Sequence, residues 1–250
     1  MTSLPFAWAL TLGLGAIVGS FLNVCIHRLP RRESLVLPAS RCPQCATPIH
    51  WYDNIPLLSF LVLGGRCRAC KGAISWRYPL VEAITVLLFI LAWARFGLTL
   101  EGLRAVVLAS ALVVVTGIDL EHRIIPDRVT LPGIVIGLAA AWILPPGIIS
   151  SAVGTLVGGG LFYVIAWASR GGMGGGDIKL AAMLGAFLGW RVGLLAIFVG
   201  VVAGGVVGVA LLLLKLRGRK DAIAFGPFLA LGGVVALFLG EAILRWYFHP

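Results

Sequence analysis

The chain has 250 residues, of which 60% are hydrophobic and only 12% are charged. Together with a mean hydropathy of +1.02, this composition excludes an ordinary soluble globular domain and indicates an integral membrane protein. The net charge of +10 is then interpreted as membrane topology and contact with anionic lipid headgroups. Nucleic-acid binding would need a basic face on a soluble domain, so we expect no nucleic-acid partner.

Eight apolar runs follow one another along the chain, and most approach the roughly 20 residues that a helix needs to cross a bilayer. Spanning helices satisfy their own backbone hydrogen bonds, so the pattern predicts an all-α, polytopic transmembrane helical bundle of about eight spans. The sixth run is the weakest prediction of a span, because its apolar part covers only Leu180 to Trp190. A helix that continues into the seventh run is an alternative, and a total of seven spans stays open. The runs are residues 6–26, 79–96, 102–118, 129–144, 148–168, 177–190, 192–214 and 225–247.

The basic residues predict the orientation of these spans. No basic residue precedes the first run and no small-residue cleavage pattern follows it, which favours a retained anchor with its N-terminus outside. Alternating the loops from there leaves four of the 20 Lys and Arg residues outside and therefore sixteen inside. This is the asymmetry of the positive-inside rule, and it predicts that both termini lie outside. The four outer residues are Arg95, Arg104, Arg191 and Arg245.

Four cysteines lie in residues 28–78, the largest segment between the predicted spans. They form two CxxC pairs, "CPQC" at Cys42 and Cys45 and "CRAC" at Cys67 and Cys70. Four thiolates in two such pairs are typical of a structural zinc site, which a segment of this size needs for stability. Two disulfides are the alternative, disfavoured in a reducing cytosol. We therefore divide the chain into a first helix (1–27), a small cytoplasmic zinc-type domain (28–78) and a membrane domain (79–250).

Acidic residues are rare, with ten in the whole chain. An unpaired charge in the apolar region is costly, so acids at or inside the spans are functional candidates. Four acids qualify: Glu82, Asp119, Asp177 and Glu241. Asp127 follows Pro126 at the start of the fourth span, where an acid capping the helix N-terminus is favoured over catalysis.

Asp119 ends the run "LASALVVVTGID", and Asp177 follows the flexible stretch "GGMGGG". The predicted topology places both at the cytoplasmic edge. Two carboxylates in a low-dielectric site do not easily both ionise, so one acts as a base and the other as an acid. This pattern indicates peptide hydrolysis by an intramembrane aspartyl protease. The alternatives are helix capping by Asp177, ion or proton transport through both acids, and a zinc-stabilised scaffold without catalysis.

Several stretches together resemble the bacterial prepilin peptidases, which are GxGD intramembrane aspartyl proteases. "GMGGGDIKLAAMLGAFLGW" resembles their GxGD region, with Gly174, Gly176 and Asp177 on the motif, and "GIDLEHRIIPDRVTLP" places the first aspartate of the family on Asp119. "GSFLNVCIHRLPRRES", the CxxC pairs, "YPLVEAITVLLF" and "FGPFLA" extend the resemblance over nearly the whole chain. One departure is Ala224, where a proline is expected.

The resemblance implies a multi-pass protein of the bacterial inner membrane. It implies cleavage of the basic leader of type IV prepilins, or of the pseudopilins of type II secretion, at the cytoplasmic membrane face. Asp119 and Asp177 are then the catalytic acids, while Gly174, Gly176 and Lys179 belong to the loop that meets the substrate. In bifunctional members the new N-terminus is methylated with S-adenosylmethionine by the part that holds the zinc-type domain. No residue is assigned to the methyl donor.

Overall fold

A computed structural model describes residues 4–169, 173–216 and 224–248. These described residues form helices and no strand, as the sequence predicts. They belong to two compact units, one ending at Gly97 and the other beginning at Leu98. The helices are α1 (Leu4–Arg28), α2 (Leu58–Val62), α3 (Arg77–Phe96), α4 (Leu100–His122), α5 (Asp127–Ala140), α6 (Ile148–Ala168), α7 (Gly175–Leu213) and α8 (Gly226–Phe248).

In the first unit, α1 and α3 pack closely as an antiparallel pair. A methyl group added to Gly15 would lie 3.0 Å from Cα of Val86, and one added to Gly19 would lie 2.8 Å from Cα of Glu82. One turn further along, the side-chain amide of Asn23 donates to the carbonyl oxygen of Tyr78 at 3.1 Å. Small residues therefore allow close contact between two apolar helices, as is usual in membrane bundles.

Glu82 was a functional candidate because a carboxylate inside an apolar helix is costly. Its side chain is buried in the α1–α3 pair, where its Oε2 accepts the backbone N–H of Leu57 at 2.8 Å. Leu57 has a positive φ of 62° and directly precedes α2. The carboxylate thus fixes the start of α2 against α3, a structural role in the first unit.

In the second unit, α6, α7 and α8 surround a core to which α4 and α5 also contribute. The helices approach each other through small residues. A methyl group on Gly158 would lie 2.6 Å from the carbonyl oxygen of Ala181, and one on Gly232 would overlap the carbonyl oxygen of Ala196. The large side chains that are fully buried in this core include Leu108, Leu112, Phe162, Met183, Phe187 and Leu229.

The 39 residues of α7 do not form one straight helix. Gly189 has φ 74° and ψ 178°, which interrupts the helix. A methyl group on Gly193 would lie only 3.1 Å from Cα of Gly185, whereas residues eight apart in a straight helix are about 12 Å apart. The chain therefore reverses at Gly189, and the predicted sixth and seventh runs form an antiparallel helical hairpin.

Six of the described helices are long and apolar enough to cross a membrane by length and composition, namely α1, α3, α4, α6, α7 and α8. The prediction of a polytopic helical bundle is thus confirmed. The count of six takes α7 as one element, although its hairpin contains both the sixth and the seventh predicted runs. It leaves out α5, the predicted fourth run, which has only 14 residues. The predicted division at residues 27 and 78 stays a prediction.

Candidate active site and metal centre

Asp119 lies in the last turn of α4 and is 5% exposed. The helix ends at His122, and the next residue, Arg123, has a left-handed backbone (φ 54°) and donates its N–H to the carbonyl oxygen of Asp119 at 2.9 Å. The side chain of Asp119 has a different donor, because its Oδ2 accepts the backbone N–H of Gly226 at 2.9 Å. The first residue of α8 thereby fixes the orientation of an acid at the end of α4.

Asp177 lies in the first turn of α7, three residues after Gly174, and is half-buried. Its backbone N–H donates to the carbonyl oxygen of Gly174 at 3.2 Å. Its carboxyl group lies close enough to Asp119 for the charge of one to act on the other. The structure therefore brings together the two acids that the sequence analysis selected, although 58 positions separate them along the chain.

Ile125, in the loop between α4 and α5, packs against both of the helices that begin at this site. A methyl group on Gly176 would lie 2.7 Å from Cβ of Ile125, and one on Gly226 would lie 3.2 Å from its Cδ1. Gly176 was predicted as a loop residue; it lies inside α7 and contacts this loop. Gly226 was not selected as a site residue, and the signal that could have found it is its place in "FGPFLA" at the start of the last span.

Lys179 and Asp127 form an ion pair beside the two acids. The ammonium group of Lys179 lies 2.7 Å from both carboxylate oxygens of Asp127. Asp127 is the first residue of α5, so its predicted position is right. Its carboxylate is bound to Lys179, a contact that the capping interpretation did not include. Through this ion pair Lys179 connects the starts of α5 and α7. Its place in the loop that meets the substrate stays a prediction.

The remaining acid among the candidates, Glu241, is exposed on α8. It lies well outside the first turn of that helix and thus away from Gly226 and Asp119. Four basic residues used in the topology prediction, and the acid Asp221, lie outside the described residues. These four are Arg170, Arg217, Arg219 and Lys220.

The four predicted cysteine ligands form one cluster in the first unit. Their sulfur atoms all lie within 4.8 Å of one another, and all four thiols are free. The sulfur atoms of Cys42 and Cys70, one from each pair, are 3.9 Å apart. A tetrahedral zinc ion with bonds of about 2.3 Å needs sulfur atoms about 3.8 Å apart. The cluster therefore fits zinc.

Each CxxC pair forms the same tight turn, and the two turns are related by an offset of 25 residues. In the first turn, the N–H of Ala46 donates to the carbonyl oxygen of Cys42 at 2.9 Å. In the second, the N–H of Lys71 donates to the carbonyl oxygen of Cys67 at 3.0 Å. Both donors have positive φ, 58° and 59°. A short antiparallel bridge closes each turn, from Arg41 to Pro48 and from Arg66 to Ala73. We call these turns the first and second knuckles.

The thiols of this cluster differ in acidity. Hydrogen bonds to Thr47 lower the pKa of Cys45 to about 6. Backbone N–H groups of Cys70 and Ala69 lower the pKa of Cys67. Because thiolates this close repel one another, a cation is needed to hold all four in the charged form. The donor set and its electrostatics are thus those of a metal site.

The fold defines the class of protein: this is a multi-pass helical membrane protein with four clustered cysteines. We call residues 28–78, which hold these cysteines, the four-cysteine module. Residues 14–96 match the family described as "Bacterial Peptidase A24 N-terminal domain", and residues 106–209 match the "Type IV leader peptidase family". The chain therefore belongs to the type IV leader peptidase family and is an enzyme of the prepilin peptidase class.

Curated relatives agree with this assignment, two of them over nearly the full length. The chain is 39% identical to a prepilin leader peptidase/N-methyltransferase of Pseudomonas aeruginosa, covering 99% of this chain and 96% of the relative. It is 38% identical to one of Aeromonas salmonicida, covering 92% and 90%. It is 47% identical to one of Myxococcus xanthus, covering 80% and 62%. No solved structure matches.

Proposed function

We propose that this protein is an intramembrane aspartyl endopeptidase that cleaves the basic leader of type IV prepilins or related pseudopilins at the cytoplasmic face of the bacterial inner membrane. The observation that supports the proposal is the pairing of Asp119 with Asp177 where the end of α4 meets the starts of α7 and α8. The names of the relatives support the substrate class.

Hydrolysis at this pair needs one carboxylate and one carboxylic acid. The carboxylate takes a proton from water as the water oxygen attacks the scissile carbonyl carbon, and the acid donates its proton to the carbonyl oxygen. The resulting tetrahedral diol collapses: the C–N bond breaks, the leaving nitrogen gains a proton and a new carboxyl group remains. The N–H of Gly226 holds Asp119 in one orientation during these transfers.

A prepilin suits this location because an apolar helix follows its basic leader. Such a substrate diffuses in the bilayer with its cleavage point near the headgroups. Gly174 precedes α7 and is exposed. An extended substrate backbone can therefore approach the helix start beside Asp177.

We further propose N-methylation of the new N-terminus, on the names of the relatives and the four-cysteine module. Cys42, Cys45, Cys67 and Cys70 would hold a structural zinc ion. S-adenosylmethionine, when bound, supplies the methyl group. The described residues contain no strand, so the strand–glycine loop–helix cradle of many nucleotide cofactors is not formed there. We therefore assign no residue to the binding of S-adenosylmethionine.

Asparagine substitution tests the acid pair, because asparagine is similar in size to aspartate but neither accepts nor supplies the required proton. Asp119→Asn and Asp177→Asn should each reduce cleavage of a synthetic prepilin by at least about 10³-fold, since both proton transfers fail. Asp127→Asn is the matched control; it weakens only an exposed ion pair with Lys179 and should cleave within about tenfold of the native enzyme.

Both inactive variants should still methylate a substrate that has already been cleaved. Native-like cleavage by Asp119→Asn or Asp177→Asn would end the aspartyl mechanism. If the native protein cleaves nothing, and ion flux in sealed vesicles depends on both acids, the transport alternative is supported instead.

A further inference from the structure

The four-cysteine module, residues 28–78, exposes an apolar face on α2. Leu58, Leu61 and Val62 are 60%, 72% and 79% exposed. They are spaced three and four residues apart, so they lie on one side of the helix. The whole stretch from Pro56 to Gly65 carries no charge. Contiguous apolar surface of this kind indicates an apolar partner.

The link between Glu82 and Leu57 indicates the depth of this face. Glu82 lies in the second turn of α3, about 7.5 Å along the helix axis from Arg77, and its carboxylate binds the residue that precedes α2. Trp76, 76% exposed, comes directly before α3. Because α3 is one of the candidate spans, α2 and Trp76 lie at the level where this helix enters the bilayer. Tryptophan is enriched at that level.

A surface pocket of about 410 Å³, open to solvent on one side, lies between α2 and the second knuckle, and we call it the cavity. Its walls are mainly apolar, with Phe60, Leu61, Ile74 and Trp76 among the lining residues, and Arg66 is the charged residue in its lining. The rings of Phe60 and Trp76 have centroids 4.8 Å apart and form one wall. The cavity thus suits an apolar chain that ends in a group attracted to arginine.

The charge of Arg66 is available for such a group. Arg66 is exposed and has no acidic partner within the described residues. Arg68, two residues further on, is instead held by Asp53 through two hydrogen bonds of 2.8 and 2.7 Å. The module contains eight Lys or Arg residues and only two acids, so its field attracts anions.

We propose that this cavity binds an anionic phospholipid, with an acyl chain between Phe60 and Ile74 and the headgroup phosphate on Arg66. The exposed face of α2 then lies among neighbouring acyl chains. Removal of the acyl chain from water is favourable, and a basic residue at an anionic surface adds electrostatic attraction. The lipid thereby docks the module on the membrane, a role distinct from cleavage and from metal binding.

Photo-crosslinking of the full-length protein in nanodiscs tests this site. The probes are phosphatidylglycerol and phosphatidylcholine that carry the same diazirine-bearing acyl chain, and peptide mass spectrometry locates the adducts. We expect adducts in residues 58–66 and 74–76, severalfold stronger with phosphatidylglycerol. Arg66→Gln should reduce the phosphatidylglycerol signal to that of phosphatidylcholine.

Arg41→Gln is the matched control because Arg41 is the equivalent residue of the first knuckle and does not line the cavity. It should keep the native labelling. Zinc content equal to that of the native protein confirms that both variants fold. Equal labelling by the two probes, labelling unaffected by Arg66→Gln, or absence of adducts in these peptides would overturn the proposal. Suppression of the signal by added S-adenosylmethionine would assign the cavity to the methyl donor instead.

Discussion

At the scale of single residues, the site depends on a backbone N–H that the sequence analysis did not select. Gly226 donates to Asp119, and it begins a helix so close to that acid that no side chain fits between them. The nearest atom to an added methyl group is Oδ2 of Asp119 itself, at 2.7 Å. Position 226 therefore controls where Oδ2 of Asp119 lies.

Gly226→Ala should reduce cleavage by about 100-fold, because moving a reacting group by about 1 Å has an effect of that size. Steady-state cleavage of a synthetic prepilin measures it. Gly205→Ala is the control, since a methyl group there meets no atom within 4 Å, and it should cleave normally. Full activity of Gly226→Ala would show that the position of Asp119 tolerates the shift.

At the scale of elements, two local geometries shape the protein: the reversal of α7 at Gly189 and the paired knuckles. The φ of 74° at Gly189 lies in the left-handed region, and a methyl group there would lie 2.5 Å from Oγ of Ser150 and 2.6 Å from Cγ of Pro146. Backbone strain and steric overlap thus act together at this turn.

Gly189→Ala should destabilise the protein by about 1–3 kcal/mol from backbone strain alone, and the steric overlap adds to this. The measurement is thermal unfolding in detergent. Gly160→Ala serves as the comparison, because its added methyl group has open space and replaces a helical glycine; it should unfold at or slightly above the native temperature. Equal stability of the two variants would contradict a hairpin that requires glycine.

The knuckles lead to a prediction about metal. Purified protein should contain about one zinc ion per chain. Replacing any one of Cys42, Cys45, Cys67 and Cys70 by serine should remove most of it and expose residues 28–78 to proteolysis. Cys25→Ala is the control, since Cys25 is buried in α1, outside the cluster. Protein prepared without chelators that contains no zinc, or that forms two disulfides under reducing conditions, would refute the structural metal site.

At the scale of the whole molecule, the proposed paired-acid mechanism requires the end of α4 and the starts of α7 and α8, which meet at Asp119, to lie on the cytoplasmic side. The positive-inside pattern predicts this orientation. Whole-cell labelling with a membrane-impermeant maleimide tests it. Met173→Cys, two residues before α7, should be labelled only after the cells are opened, and Leu98→Cys, between α3 and α4, should be labelled in intact cells. Labelling of Met173→Cys from outside would place the site on the wrong face for a leader that remains in the cytoplasm.

The sequence by itself determined the features that depend on local pattern. Apolar run length fixes which segments form long helices, the CxxC spacing selects the four clustered thiols, and the scarcity of acids in apolar surroundings selects Asp119 and Asp177. The tertiary structure decided the contacts between distant parts of the chain. The hydrogen bond from Gly226 to Asp119 spans 107 positions, the ion pair of Lys179 and Asp127 spans 52, and the hydrogen bond from the N–H of Leu57 to Glu82 spans 25. These contacts depend on how helices pack and where α7 reverses, and packing is a property of facing surfaces that no single stretch of sequence encodes.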